Sequence, residues 1–119
     1  MGPGHILSEQ ACALTVDVQA CFCVGAWLSV IVLAAAVVDA SLRHEHPGYR
    51  GNTKDLIDAM GANEKLQSLR RRRNALVHAS SENPAITIEQ QWCDRDAHEA
   101  EAREAVALMF ETLYMFPFV

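Results

Sequence analysis

A chain of 119 residues with 15 acidic and 10 basic side chains carries a net charge of −5, and 50% of it is apolar. That balance excludes a disordered polymer and a globally basic nucleic-acid binder, and it leaves enough length for one domain whose core needs neither a disulfide nor a structural metal. Any attraction to a polyanion must be local, and the only basic run is Arg70 to Arg73.

Residues 1–7, with Gly2, Pro3 and Gly4, read as a flexible lead-in to a single helical domain covering 1–119. Ser8 is placed to cap a first helix in which Ala11, Leu14, Val18 and Phe22 recur at helical spacing. Gly25 suggests a break, and a second helix is expected from there to His44, ended by Pro47-Gly48. Residues 21–38 form an apolar run at the lower edge of a membrane span. The alanines at 34–36 and the abutting Asp39 favour instead a central helix, covered by neighbours or by a partner subunit. The N-terminus has neither a basic region nor a convincing cleavage site, which speaks against a signal peptide. The expected setting is cytoplasmic, with no membrane partner.

Asn52 or Thr53 starts a short third helix through Leu56, Ile57 and Met60, closed by Gly61. Asn63 caps a fourth from Glu64 to about Ala79, residues 80–84 form a loop, and Ala85 to Ile88 reads as extended. Asp94 is expected to cap a last helix to about Phe116. Its apolar face holds Ala102, Val106, Met109, Phe110 and Leu113, opposite a solvated face of Glu101, Glu104 and Glu111. These elements predict an all-α, up-and-down bundle of four to five helices.

Four cysteines, Cys12, Cys21, Cys23 and Cys93, lack a second pair at ligand spacing, so buried reduced thiols are expected and no metal or other cofactor. His44-Glu45-His46 reads as a polar helix end, since it precedes Pro47-Gly48 and has no clear third ligand. His98 is expected at the surface. Trp27 and Trp92 are expected to pack.

One residue contradicts the amphipathic pattern. At about 100° per residue, Leu66, Leu69, Leu76 and Val77 define one stripe of the fourth helix, and Arg73 falls inside it. Arg71 and Arg72 point away, while Arg70, Asn74 and His78 form a row at i, i+4, i+8 along the edge of the stripe. An inward guanidinium needs a partner, and Asp39, between Val38 and Ala40, is the carboxylate most out of place in an apolar helix. An Arg73–Asp39 pair is therefore expected. The plain structural alternative is that such a pair only fixes helix packing, with Asn74 and His78 as satisfied polar residues.

The segment Leu69-Arg70-Arg71-Arg72-Arg73-Asn74-Ala75-Leu76-Val77-His78 resembles the signature of the HEPN superfamily, compact helical bundles with an Arg-polar-x-x-x-His motif on a late helix. Gly25-Ala26-Trp27 opening an apolar helix that reaches Asp39 and then Ser41-Leu42-Arg43 agrees with the wider pattern. The resemblance implies a metal-independent endoribonuclease acting on RNA as a homodimer, with its composite site across the two-fold. It leaves a 2′,3′-cyclic phosphate and a 5′-hydroxyl.

On that model His78 is general acid or base, Arg73 holds the scissile phosphate, and Asn74 orients one or the other. Asp39 supports Arg73, and Arg70 and Arg71 attract the RNA backbone. Arg73 and His78 lie about 140° apart on an ideal helix, which is why two copies are needed to complete one site. Toxin or defence roles, with an antitoxin or other partner protein, are compatible with the resemblance. Ala79-Ser80-Ser81 replaces the tyrosine motif of members paired with a small nucleotidyltransferase, so that subtype is not supported. The rival reading is a catalytically silent helical scaffold or interaction subunit.

Overall fold

A computed structural model describes residues 7–61, 63–78 and 82–114, and these contain helices but no strand. The helices are α1 (Glu9–Cys23), α2 (Trp27–Glu45), α3 (Thr53–Ala59), α4 (Glu64–Val77), α5 (Ile88–Cys93) and α6 (Arg95–Leu113). The all-α bundle is as expected, with one more helix than foreseen.

Helix starts follow local chemistry. The Ser8 hydroxyl accepts from the Ala11 N–H at 3.1 Å, Asn52 from Asp55 at 2.8 Å and Asn63 from Leu66 at 3.1 Å. Each replaces a hydrogen bond that the first helical turn lacks. Asp94 behaves otherwise: it precedes α6 but its side chain makes no capping bond. The segment read as extended turns into α5 at Ile88, because Thr87 and Gln90 form a reciprocal capping box. The last helix ends at Leu113, and the Phe116 and Ala79 limits expected for α6 and α4 lie outside the described residues, as does the lead-in up to residue 6.

Helix α2 is the axis of the fold. Helices α1 and α6 pack along it, and α4 meets it on a third side. Val30, Ile31, Ala34, Val37, Val38 and Leu42 form its buried face and join Leu56 and Ile57 of α3, Leu66 and Leu69 of α4, and Ala102, Met109 and Leu113 of α6 in one core. By length and composition α2 is apolar enough to cross a membrane. In the fold it is the helix around which the others assemble. Within one chain the side of α2 opposite Ala34, through Val32, Ala36 and Ala40, is only half-buried.

The α1–α2 corner turns at Gly25, whose φ of 74° lies in the left-handed region that a side chain disfavours. The Arg95 guanidinium, at the start of α6, donates to the Gly25 carbonyl and ties the two ends together. Phe22 meets Trp27 edge-on across the corner, with ring centroids 5.2 Å apart, so Trp27 packs as expected. Trp92 does not: it is 77% exposed on α5. Three of the four thiols, Cys12, Cys23 and Cys93, are exposed rather than buried: Cys12 and Cys23 lie off the Ala11–Val18 face of α1, and Cys93 ends α5, which buries no residue.

His98 is the reverse case. Expected at the surface, it is 6% exposed, and its Nδ1 has no hydrogen-bond partner among the described residues. The histidine sits four residues before Ala102 and therefore continues the buried stripe of α6 inward. The helix-end reading of residues 44–46 has a positive counterpart, since the His46 ring lies 2.8 Å from the Leu42 carbonyl.

Candidate functional site

The four consecutive arginines of α4 have four different environments. Arg71 is exposed and pairs with Glu64 two turns back on the same helical face, with a further contact to Ser68 at 3.3 Å. Arg72 does not point to solvent as the helical projection suggests. It reaches α6, where Nε donates to Glu101 at 2.8 Å and Nη2 to the other carboxylate oxygen at 3.3 Å. Its Nη1 also donates to the Ala85 carbonyl at 3.3 Å. Glu101 is accordingly no solvated residue but half of a two-pronged tie between α4 and α6.

Arg70 and Arg73 take the opposite side. Together with Asn74 they line a cavity of about 240 Å³ whose other walls include Asp39, Ala36 and Ala40 of α2, Thr53 and Ile57 of α3, and Gln10 of α1. Arg73 is half-buried and donates through Nη1 to the Asn74 side-chain oxygen at 3.0 Å. Arg70 donates through Nε to the Gln67 side-chain oxygen at 2.9 Å. Among the described residues neither guanidinium has a carboxylate partner.

The Arg73–Asp39 pair expected from the sequence is not formed within the chain. Asp39 accepts from Arg43 Nε at 3.2 Å, one turn along the same helix, and from the Thr53 hydroxyl. Arg43 also donates to the Gly51 carbonyl at 2.9 Å and to Thr53 at 3.2 Å, and lies over the Tyr49 ring. An arginine four residues away is always within reach on a helix, so the local pair forms without bringing two helices together. Asp39 still borders the cavity that Arg73 enters, with its charge already answered.

His78 stands apart. It is the residue that ends α4, with extended dihedrals and its N–H bonded to the Asn74 carbonyl at 3.0 Å, and its side chain is exposed. The row Arg70–Asn74–His78 is thus only two-thirds realised: the first two share the cavity and the histidine does not line it. Val77, assigned to the apolar stripe, is 43% exposed because the last turn of α4 projects past the core.

No family model, curated protein or solved structure matches this chain. The functional reading therefore rests on the residues themselves.

Chemically, the cavity presents two cations and an amide on a wall whose single carboxylate is occupied. Two guanidiniums so placed suit a phosphate, which accepts from both in a forked geometry. Gln67 and Thr53, outside the Arg70–His78 motif, also belong to this site: Gln67 holds Arg70 and Thr53 holds Asp39. Gln67 carried a usable signal, since it is a polar residue directly beside Leu66 of the apolar stripe. Thr53 carried none beyond its place at a helix start.

Proposed function

We propose that this chain is a HEPN-type, metal-independent endoribonuclease that works as a cytoplasmic homodimer. Toxin or defence roles, with an antitoxin or other partner protein, suit that activity. The observation that carries the reading is Arg73: half-buried, bonded to Asn74, without a carboxylate partner among the described residues, and facing a cavity it shares with Arg70. An arginine that served packing alone would be expected to sit against a carboxylate, as Arg72 does.

In the proposed reaction Arg73 holds the phosphodiester and stabilises charge developing on its oxygens, with Asn74 fixing the guanidinium plane. His78 removes the proton from the ribose 2′-hydroxyl, whose oxygen attacks phosphorus. The bond to the 5′-oxygen breaks, that oxygen takes up a proton, and a 2′,3′-cyclic phosphate is left. His78 does not share a cavity with Arg73 of its own chain, so the histidine that completes a site is supplied by the second copy. The half-covered side of α2, where Ala36 and Ala40 adjoin the cavity, is the surface on which that copy would seat. Asp39, held by Arg43 and Thr53, shapes the wall rather than pairing with Arg73. Arg71, already paired with Glu64, contributes little to RNA attraction.

Incubation of the purified protein with single-stranded and structured RNA, with and without EDTA, tests the proposal. Cleavage that survives EDTA and disappears in His78→Ala and in Arg73→Ala is the expected result. A folded dimer that leaves every RNA intact would instead identify a silent scaffold.

A further inference from the structure

Arg70 entered the sequence reading as one of several charges near RNA, yet its surroundings are more specific than that. Gln67 is 4% exposed and its amide is fully used. Its nitrogen donates to the Lys54 carbonyl at 3.1 Å and to the Asp58 carboxylate at 2.9 Å, both on α3, while its oxygen accepts from Arg70 Nε at 2.9 Å. Lys54 in turn pairs with the second oxygen of Asp58 at 3.1 Å. The side-chain path Lys54–Asp58–Gln67–Arg70 thus runs from α3 through a buried amide to the cavity wall.

This path holds Arg70 by its Nε and leaves both Nη groups without a hydrogen bond to any described residue. Arg73, one turn on, is held by Nη1 on Asn74 in the same cavity. Among the described residues the one carboxylate on that wall, Asp39, already accepts from Arg43 and Thr53. Two oriented guanidiniums are therefore left uncompensated in a space of about 240 Å³. Such a space suits a single phosphate group, and two cations favour its dianion.

We infer that this cavity is a phosphate-binding pocket in which Gln67 is the positioning residue that presents Arg70 beside Arg73. The inference rests on the proposed function in taking phosphate as the ligand, but it does not require that any bond be cut.

Titration of the intact protein with inorganic phosphate, followed through the arginine Nε–Hε resonances in NMR spectra, tests it. Saturable shifts of Arg70 and Arg73 are expected, and Arg70→Ala removes the binding. Gln67→Met keeps the side-chain volume, loses the three hydrogen bonds that Gln67 makes, and is expected to weaken phosphate binding about tenfold. Met109→Ala, a core change on α6 away from the cavity, lowers the melting temperature without changing the affinity, so lost stability and lost positioning are told apart. Adenosine 5′-monophosphate in a parallel titration separates the sources: tighter binding than inorganic phosphate indicates a nucleotide, and equal binding indicates the phosphate group alone.

Wild-type resonances that do not move, or Gln67→Met binding phosphate as the wild type does, would overturn the pocket. Phosphate binding by a protein that leaves RNA intact would sink the ribonuclease and keep the pocket. RNA cleavage without phosphate binding would do the reverse.

Discussion

Among the described residues Arg73 is held by Asn74 through a single hydrogen bond, and none of them takes the rest of its guanidinium. Lysine in its place keeps the charge but loses the planar fork, so Arg73→Lys is expected to cut RNA at least about tenfold more slowly than wild type. His78 is exposed beyond the end of α4, and His78→Ala should therefore abolish cleavage while moving the melting temperature little. Parallel activity assays and thermal melts check both. His98 is the opposite kind of residue, a buried imidazole with an unpartnered Nδ1. An unmet buried polar group costs about 1–3 kcal/mol, so His98→Leu is expected to raise the unfolding free energy by about 1 kcal/mol in urea denaturation. A fall in stability would show that the ring packs in a way leucine does not reproduce.

At the scale of elements, α4 is fixed on both flanks by polar side chains. Gln67 joins it to α3, and Arg72 joins it to α6 through both oxygens of Glu101. The Arg72–Glu101 pair is about one-third exposed, which weakens it by solvent screening, yet its geometry is two-pronged. A double-mutant cycle with Arg72→Met and Glu101→Gln should give a coupling of about 1 kcal/mol that shrinks in high salt. The α1–α2 corner depends on the left-handed Gly25. Gly25→Ala should destabilise the fold by about 1 kcal/mol in the same assay.

For the whole molecule, the decisive question is how one Arg73 meets one His78. Arg73 lines a cavity that His78 of the same chain does not line, so the proposed reaction calls for a second copy. Mixing inactive Arg73→Ala and inactive His78→Ala proteins, after subunit exchange, should restore cleavage, because each mixed dimer regains one intact pair. Failure of the mixture to cut RNA, with mixed dimers demonstrated by mass, would place both groups on the same chain during catalysis.

Much of this was legible in the sequence, for reasons that differ by element. Ser8, Asn52 and Asn63 marked helix starts because capping is settled within four residues of chain. The start of α5 is equally local, set by the Thr87–Gln90 capping box, whereas the extended reading of residues 85–88 took no account of that pair. Trp92 and the cysteines were misplaced because residue type gives only an average tendency to be buried, whereas the exposed side of each helix is set by what packs against the other.

Sequence alone thus determined the all-α class, most helix boundaries and the out-of-place Arg73, since these follow from periodicity and local hydrogen bonding. Tertiary structure alone decided which charges are answered across helices. Arg72 went to Glu101 on α6, and Gln67, which holds Arg70, went to partners on α3, whereas Asp39 stayed with Arg43 of its own helix. Partner choice depends on distances between helices, and spacing along one helix carries no information about them.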